Sequence, residues 1–279
     1  MARLRFTKMH GIGNDYVYVD CFAASVDDPA ALARRVSPRH TGIGSDGVIL
    51  ICPSDTADCR MEMYNADGSR GAMCGNGIRC VGKYVYEHGL VHKDTLHIAT
   101  DAGVKALRLH TRDGRVHAVT VDMGEPLLDG PRIPVAAEGR VINSPLEVDG
   151  KTYQVTCVAM GNPHCVIFVA STDDLPLAEI GPRFEHHPFF PKRVNTEFAQ
   201  VLARTELRMR VWERGSGETA ACGTGACAVL VAAVLNDKAD RRATIHLSGG
   251  DLEIEWNAAD NHVFMTGPAE EVFSGEIEV

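Results

Sequence analysis

Met73-Cys74-Gly75-Asn76-Gly77-Ile78-Arg79-Cys80 and Ala221-Cys222-Gly223-Thr224-Gly225-Ala226 set the same Cys-Gly-x-Gly turn at two points of the chain, 222 − 74 = 148 residues apart. Sliding the sequence by 148 aligns more than the thiols. Arg60-Met61 falls on Arg208-Met209, Tyr64 on Trp212, Ala72 on Ala220, and Gly13-Asn14 on Gly161-Asn162. Self-similarity of this length reads as a duplicated domain. One thiol retained in each half implies a site with pseudo-twofold character and a thiol for each face of a substrate.

Around these turns the chain reads as many short strands and few helices. Runs such as Val48–Ile51, Arg60–Tyr64, Thr95–Thr100, Val116–Asp122, Tyr153–Ala159, Leu207–Trp212, Ala243–Leu247 and Leu252–Trp256 are separated by Gly, Asp or Pro turns. Helices are expected from Gly75 to His88, stopped by Gly89, and from Gly223 to Asn236, with short ones at Ala30–Val36 and Leu177–Phe184. The run Ala226 to Leu235 is apolar on every side, so its helix must be enclosed. The expected fold is therefore α/β (α+β): two pseudo-symmetric domains, each a mostly antiparallel β-barrel around a central helix. A second echo, Met123-Gly124-Glu125-Pro126 against Met265-Thr266-Gly267-Pro268, sets the expected boundaries. These are residues 1–122 plus 267–279 for the half carrying Cys74, and 123–266 for the half carrying Cys222.

Composition narrows the partners. The net charge of −9 is spread without a basic run, which argues against nucleic acid or an anionic membrane. No apolar stretch reaches the roughly 18 residues of a membrane span, and Met1 to Met9 lacks the core of a secretory signal. Nine irregularly spaced cysteines suit a reduced cytoplasmic protein better than a disulfide scaffold. Cys21, Cys52, Cys59, Cys157 and Cys165 read as small buried hydrophobes.

The chemistry follows from position. A Cys followed by Gly-x-Gly and a helical run puts sulfur at a helix N-terminus, where unpaired amides and the dipole favour anions. The thiol pKa is expected to fall toward neutrality, making the thiolate a usable base. The glycines let backbone approach a substrate carboxylate, and charge developing as an α-proton leaves would sit in the same field.

With those turns, the segments Lys8-Met9-His10-Gly11-Ile12-Gly13-Asn14-Asp15, Tyr64-Asn65-Ala66-Asp67-Gly68-Ser69, Met160-Gly161-Asn162-Pro163-His164-Cys165, Arg193-Val194-Asn195 and Glu213-Arg214-Gly215-Ser216-Gly217-Glu218 resemble the diaminopimelate epimerase family over nearly the whole chain. The resemblance implies two α/β domains, a β-barrel around a helix in each. It also implies epimerisation of one α-carbon of LL-2,6-diaminopimelate to the meso form with two cysteines, no cofactor and no metal. That is a step of lysine and peptidoglycan-precursor synthesis, and a homodimer is implied as well. Carried over by position, Cys74 and Cys222 match the acid/base pair, with His164 and Glu213 as the groups that help the thiols exchange protons. Asn76 with Gly75, and Thr224 with Gly223, match the residues that hold the α-carboxylate. Asn14, Asn65, Asn162, Asn195, Glu213 and Arg214 match the substrate-binding set.

Symmetry is broken where the substrate's two ends differ: Asn65-Ala66 becomes Glu213-Arg214, and Tyr16 becomes His164. Arg214 offers a carboxylate clamp and Glu213 an ammonium partner, against the plainer reading of a surface ion pair. One departure from the family is Gly47, where a Gln is frequent, so a side-chain contact from that loop is not expected. Thiols flanking one carbon should also oxidise together in an empty site, so activity is expected to need a reductant.

Other readings carry less. Gly42-x-Gly44-x-x-Gly47 spells a dinucleotide fingerprint, but a strand follows it rather than a helix. Cys74…Cys80 and Cys222…Cys227 lack zinc-knuckle spacing. A proline or hydroxyproline racemase-type enzyme would carry His in place of Asn76 and lack Glu213-Arg214. A binding module without catalysis would hold the amino acid but exchange no α-hydrogen.

Overall fold

The computed structural model describes residues 3–278. It divides into two compact units, one of residues 1–121 with 267–279 and one of residues 122–266. The first holds β1 (Arg3–Gly11), β2 (Asn14–Asp20), α1 (Pro29–Val36), β3 (Gly47–Cys52), β4 (Cys59–Asn65), β5 (Arg70–Gly71), α2 (Gly75–Glu87), β6 (Thr95–Thr100), β7 (Gly103–Arg112) and β8 (Arg115–Asp122). The second holds β9 (Ser144–Val148), β10 (Lys151–Ala159), β11 (Pro163–Phe168), α3 (Leu177–Glu185), β12 (Asn195–Ala203), β13 (Glu206–Glu213), β14 (Gly217–Thr219), α4 (Gly223–Leu235), β15 (Arg242–Leu247), β16 (Gly250–Trp256) and β17 (Val263–Gly267). The last strand, β18 (Glu270–Glu278), belongs to the first unit.

The two units share one strand plan. In the first, the order is β18-β1-β2-β3-β4-β6-β7-β8, antiparallel except for β2–β3 and β4–β6. In the second it is β9-β10-β11-β12-β13-β15-β16-β17, antiparallel except for β11–β12 and β13–β15. The 148-residue offset survives in the register: Val17 lies beside Val48, and Cys165 beside Thr196.

Each sheet wraps a helix. A side chain at Gly77 would meet Ile49 of β3 and Met61 of β4, and one at Gly82 would meet Leu107 and Leu109 of β7 and Val119 of β8; α2 also touches β1 and β2, so strands across the sheet enclose it. The helix α4 touches β10, β11, β12, β13, β15 and β16, and Ala226 to Ala233 are all inaccessible to solvent. A helix with no polar face is stable only in such a position. Each helix ends before a left-handed residue: α2 closes at His88 before Gly89 (φ 73°), and α4 closes at Asn236 before Asp237 (φ 51°).

Three strands of this plan carry sequences in which charge masks the pattern. β1 alternates but includes Arg3, Arg5 and Lys8, β12 holds Glu197 at its centre, and β18 is rich in glutamate. No helix among the described residues is long and apolar enough to cross a membrane.

Candidate active site

Cys74 is the N-cap of α2. Its backbone is extended (φ −129°, ψ 121°), its carbonyl accepts from Ile78 N, and its sulfur accepts from Gly77 N at 3.3 Å. The sulfur also points at Asn14, whose Oδ1 accepts from the thiol at 3.2 Å and from Asn76 Nδ2 at 3.4 Å. Asn14 starts β2, directly after the Gly13 turn (φ 87°). Its amide cannot be reversed, because Asn14 Nδ2 donates to Asp46 Oδ2 at 2.7 Å and a carboxylate only accepts. Asp46 in turn takes Asp15 N and Arg39 Nη2. Sequence reasoning missed Asp46. It lies in the Gly42–Gly47 loop that mimics a dinucleotide fingerprint, and that loop runs directly into β3.

Two other residues of this half behave differently from the sequence expectation. Asn65 donates its amide to Ser69 Oγ at 2.9 Å, inside its own turn. Gly47 has no room for a side chain: a Cβ would stand 2.0 Å from Tyr64 O and 3.0 Å from Tyr16 Cε1. The absence of Gln there is a packing fact.

Cys222 repeats the N-cap on α4 (φ −118°, ψ 103°), with Ala226 N donating to its carbonyl and Gly225 N to its sulfur at 3.4 Å. Thr224 Oγ1 lies 3.6 Å from the sulfur. The surroundings are not those of Cys74. Glu213, at the end of β13, accepts from Thr219 Oγ1 and from the Cys222 thiol. Arg214 does not pair with Glu213; its backbone N–H donates to Asn195 Oδ1 at 2.9 Å and its guanidinium to Lys192 O. The turn behind it is held by Glu185 of α3, which accepts from Trp212 Nε1 and Gly215 N. Asn195 and His164 sit side by side on parallel strands. His164 is fully buried between Asn162 Oδ1, 3.0 Å from Nε2, and Glu197 Oε1, 2.6 Å from Nδ1.

The expected depression of the thiol pKa is not what Cys222 has. Burial, then the carboxylates Glu213 and Glu197, push it well above the usual thiol value, outweighing the contacts from Thr224 and Gly225 that favour the thiolate. A helix N-terminus acts over its first turn and is worth at most about 2 kcal/mol, whereas desolvation of a fully buried group moves its pKa by several units. Burial also raises Glu213, opposed by its bonds from Thr219 and Cys222.

None of the remaining cysteines is in a disulfide. Cys59, Cys157 and Cys165 are buried, as read from sequence, but Cys21 and Cys52 are half-exposed and hydrogen-bonded to each other beyond the ends of the β2–β3 pair. That bond comes first in holding Cys52 below the ordinary thiol value. Among the described residues no group of three or more His, Cys, Asp or Glu side chains could hold a metal ion.

The repeated thiol-capped helix coincides with a sequence match. The model of the family described as "Diaminopimelate epimerase" matches residues 6–128 and 156–272. The chain belongs to the diaminopimelate epimerase family. Curated members include a diaminopimelate epimerase of Acetivibrio thermocellus, 57% identical over 277 residues and covering 99% of both chains. Another is that of Desulfovibrio desulfuricans, 60% identical over 280 residues and 98% of both. Among solved structures, a phenazine biosynthesis protein of the PhzF family from Bacillus anthracis has a TM-score of 0.72 at 14% identity over the whole of both chains. A hydroxyproline epimerase from Agrobacterium vitis has a TM-score of 0.70 at 15% identity, covering 99% of this chain and 92% of that one. Those two likenesses establish the mixed α/β fold that diaminopimelate epimerase family members share with more distant proteins.

Proposed function

We propose that the chain is a cofactor-independent isomerase that converts LL-2,6-diaminopimelate to the meso form, with Cys74 and Cys222 as acid and base. In this reading one thiolate removes the α-proton and the other thiol returns a proton to the opposite face, the roles exchanging with direction. The observation that carries it is the repeated thiol N-cap: each sulfur sits on the first turn of an enclosed helix, with glycine amides beside it. Gly75 with Asn76, and Gly223 with Thr224, are the donors for the α-carboxylate. Asn14, Asn65, Asn162, Asn195, Glu213 and Arg214 form the binding set, of which Asn65 must release Ser69 to act. Glu213 exchanges a proton with Cys222, for which their hydrogen bond is the support, and His164 serves the same chemistry.

The pathway placement is lysine and peptidoglycan-precursor synthesis in the cytoplasm, which suits nine cysteines outside any disulfide. A homodimer is supported by β18, which presents Val272 and Phe273 about half exposed on one strand. The test is proton NMR of LL-diaminopimelate with reduced protein in D2O. Loss of the α-hydrogen signal with appearance of the meso isomer is expected. Exchange with proline or hydroxyproline instead would move the chain to the racemase branch, and exchange with neither would leave a binding module. Cys74→Ala and Cys222→Ala should each abolish epimerisation while the protein stays folded; more than a few per cent activity in both would refute the two-base reading.

A further inference from the structure

The repeat provides an internal control for every residue near the thiols. At the 148 offset, Glu197 of β12 stands where β3 has Ile49 (197 − 148 = 49), and His164 stands where β2 has Tyr16 (164 − 148 = 16). The positions are equivalent in space as well as in sequence. A Cβ at Gly77 would lie 2.5 Å from Ile49 Cδ1, and one at the matching Gly225 would lie 2.8 Å from Glu197 Oε1. Both side chains therefore lie against the first turn of the thiol-capped helix. In one half this place is filled by an ordinary core hydrophobe, so the fold does not require a carboxylate there.

A carboxylate placed there is costly. Glu197 is inaccessible to solvent, and its Oε2 has no hydrogen-bond partner among the described residues. A buried acceptor left unmade destabilises the fold. Its other oxygen makes one short bond, 2.6 Å to His164 Nδ1, and no Lys or Arg ion pair to Glu197 exists among the described residues. The other titratable groups acting on this pair are Glu213, Cys222 and Cys165. A costly group whose one strong contact is to an imidazole, at a site where the sister domain uses isoleucine, is retained for what it does to that imidazole.

We propose that Glu197 is the positioning residue of His164: its carboxylate holds the proton on Nδ1, so Nε2 is the nitrogen through which His164 gains and loses a proton. An acceptor-only group on Nδ1 fixes the tautomer and ring orientation. Nε2 faces the side-chain amide of Asn162 at 3.0 Å, the residue that corresponds to the thiol's partner Asn14 in the other half; that amide accepts through Oδ1 when Nε2 carries a proton and turns to donate through Nδ2 when it does not. The inference deepens the proposed function and rests on its reading that His164 takes part in proton exchange.

The test compares Glu197→Gln, Glu197→Ile and His164→Gln in the full chain. Glu197→Gln removes the charge but can still turn its carbonyl to Nδ1–H, whereas Glu197→Ile removes the acceptor and supplies the side chain that the first half has at this place. Expected for both Glu197 variants is a fall in kcat of about 10- to 100-fold with KM changed far less, and an altered acidic limb of the pH–rate profile. Nitrogen-15 spectra of histidine-labelled protein, with the His164 signals assigned by their loss in His164→Gln, should show protonated Nδ1 in the parent and loss of that preference in Glu197→Ile. Parent kcat and pH limb in both Glu197 variants, alongside an impaired His164→Gln, would overturn the positioning role alone. A fully active His164→Gln would overturn the role of His164 itself, and this inference with it.

Discussion

Replacing Glu213 by Gln should make Cys222 a stronger acid. The carboxylate and the thiol are hydrogen-bonded, and Glu213 is the first charged group holding the Cys222 pKa up after burial itself. For two charges about 4 Å apart at an effective dielectric constant of about 20, Coulomb's law gives about 4 kcal/mol. At about 1.4 kcal/mol per pKa unit, that is about three units. Two effects reduce it: the Gln carbonyl still accepts from the thiol, which favours the neutral form, and Glu197 remains. A fall of at least about one unit survives both corrections. The assay is thiolate ultraviolet absorbance against pH, taking the difference between Glu213→Gln and the same protein carrying Cys222→Ser to isolate the one sulfur. An unchanged Cys222 titration would refute the claim that carboxylates set its acidity. Stability provides an independent check of sign. The folded pKa of Glu213 lies above the ordinary glutamate value of 4.5, so its ionisation costs nothing below that pH and progressively more as pH rises through the folded value. Glu213→Gln should therefore raise Tm relative to the parent at pH 8 and leave it unchanged at pH 4, while epimerase activity falls.

Three further outcomes are expected. Asp46→Ala removes the acceptor that orients Asn14, and should lower kcat about tenfold with a changed pH profile; a parent profile would show that Asn14 needs no such anchor. Gly77→Ala sets a methyl 2.5 Å from Ile49 Cδ1 and 3.2 Å from Met61 Cε, an overpacking worth about 1–3 kcal/mol that denaturant unfolding will register, and no loss would mean the strands yield. His246 is raised first by its bond to Asp251 and then by Glu206. Its contribution is fully present below the ordinary imidazole value of 6.5 and lost as pH rises through the folded value, so Asp251→Asn should lower stability by less than about 1 kcal/mol at pH 5.5 and not at pH 9.

The repeat, the two enclosed helices and the thiol turns were legible in the sequence because each rests on a local signal: spacing, an all-apolar run, and glycine after cysteine. β1, β12 and β18 were harder because Arg3, Arg5, Glu197 and the glutamates of β18 interrupt the alternation that marks a strand. Charge also hid the chemistry. Sequence gives the helix N-terminus but not how deeply Cys222 is buried or which carboxylates close on it, and those terms reverse the expected shift. Asp46 carries no local signal of its own, because its partner Asn14 lies 32 residues away in sequence. Glu197 could have been found by reading the 148 offset one pair further, where isoleucine faces glutamate.

The two halves share a backbone plan and differ in charge, and the difference has one direction. In the first half the thiol's hydrogen-bond partners include the amides of Asn14 and Gly77, and the helix behind it carries Arg79, fully buried and bonded to Gly75 O and Pro268 O. At the matching place in the second half, Arg79 is replaced by Cys227 (227 − 148 = 79), and carboxylates stand where Asn65 and Ile49 stand in the first. Two carboxylates near Cys222 oppose negative charge there, whereas the first half has an amide and an isoleucine at the matching places. On the proposed two-base reading, reversible epimerisation needs one sulfur charged and the other protonated at the start of each turnover. A perfectly duplicated site would leave that choice to chance. Burial together with Glu213 and Glu197 biases Cys222 to keep its proton in the resting protein, and these carboxylates, absent from the matching places of the first half, break the duplication before any substrate arrives.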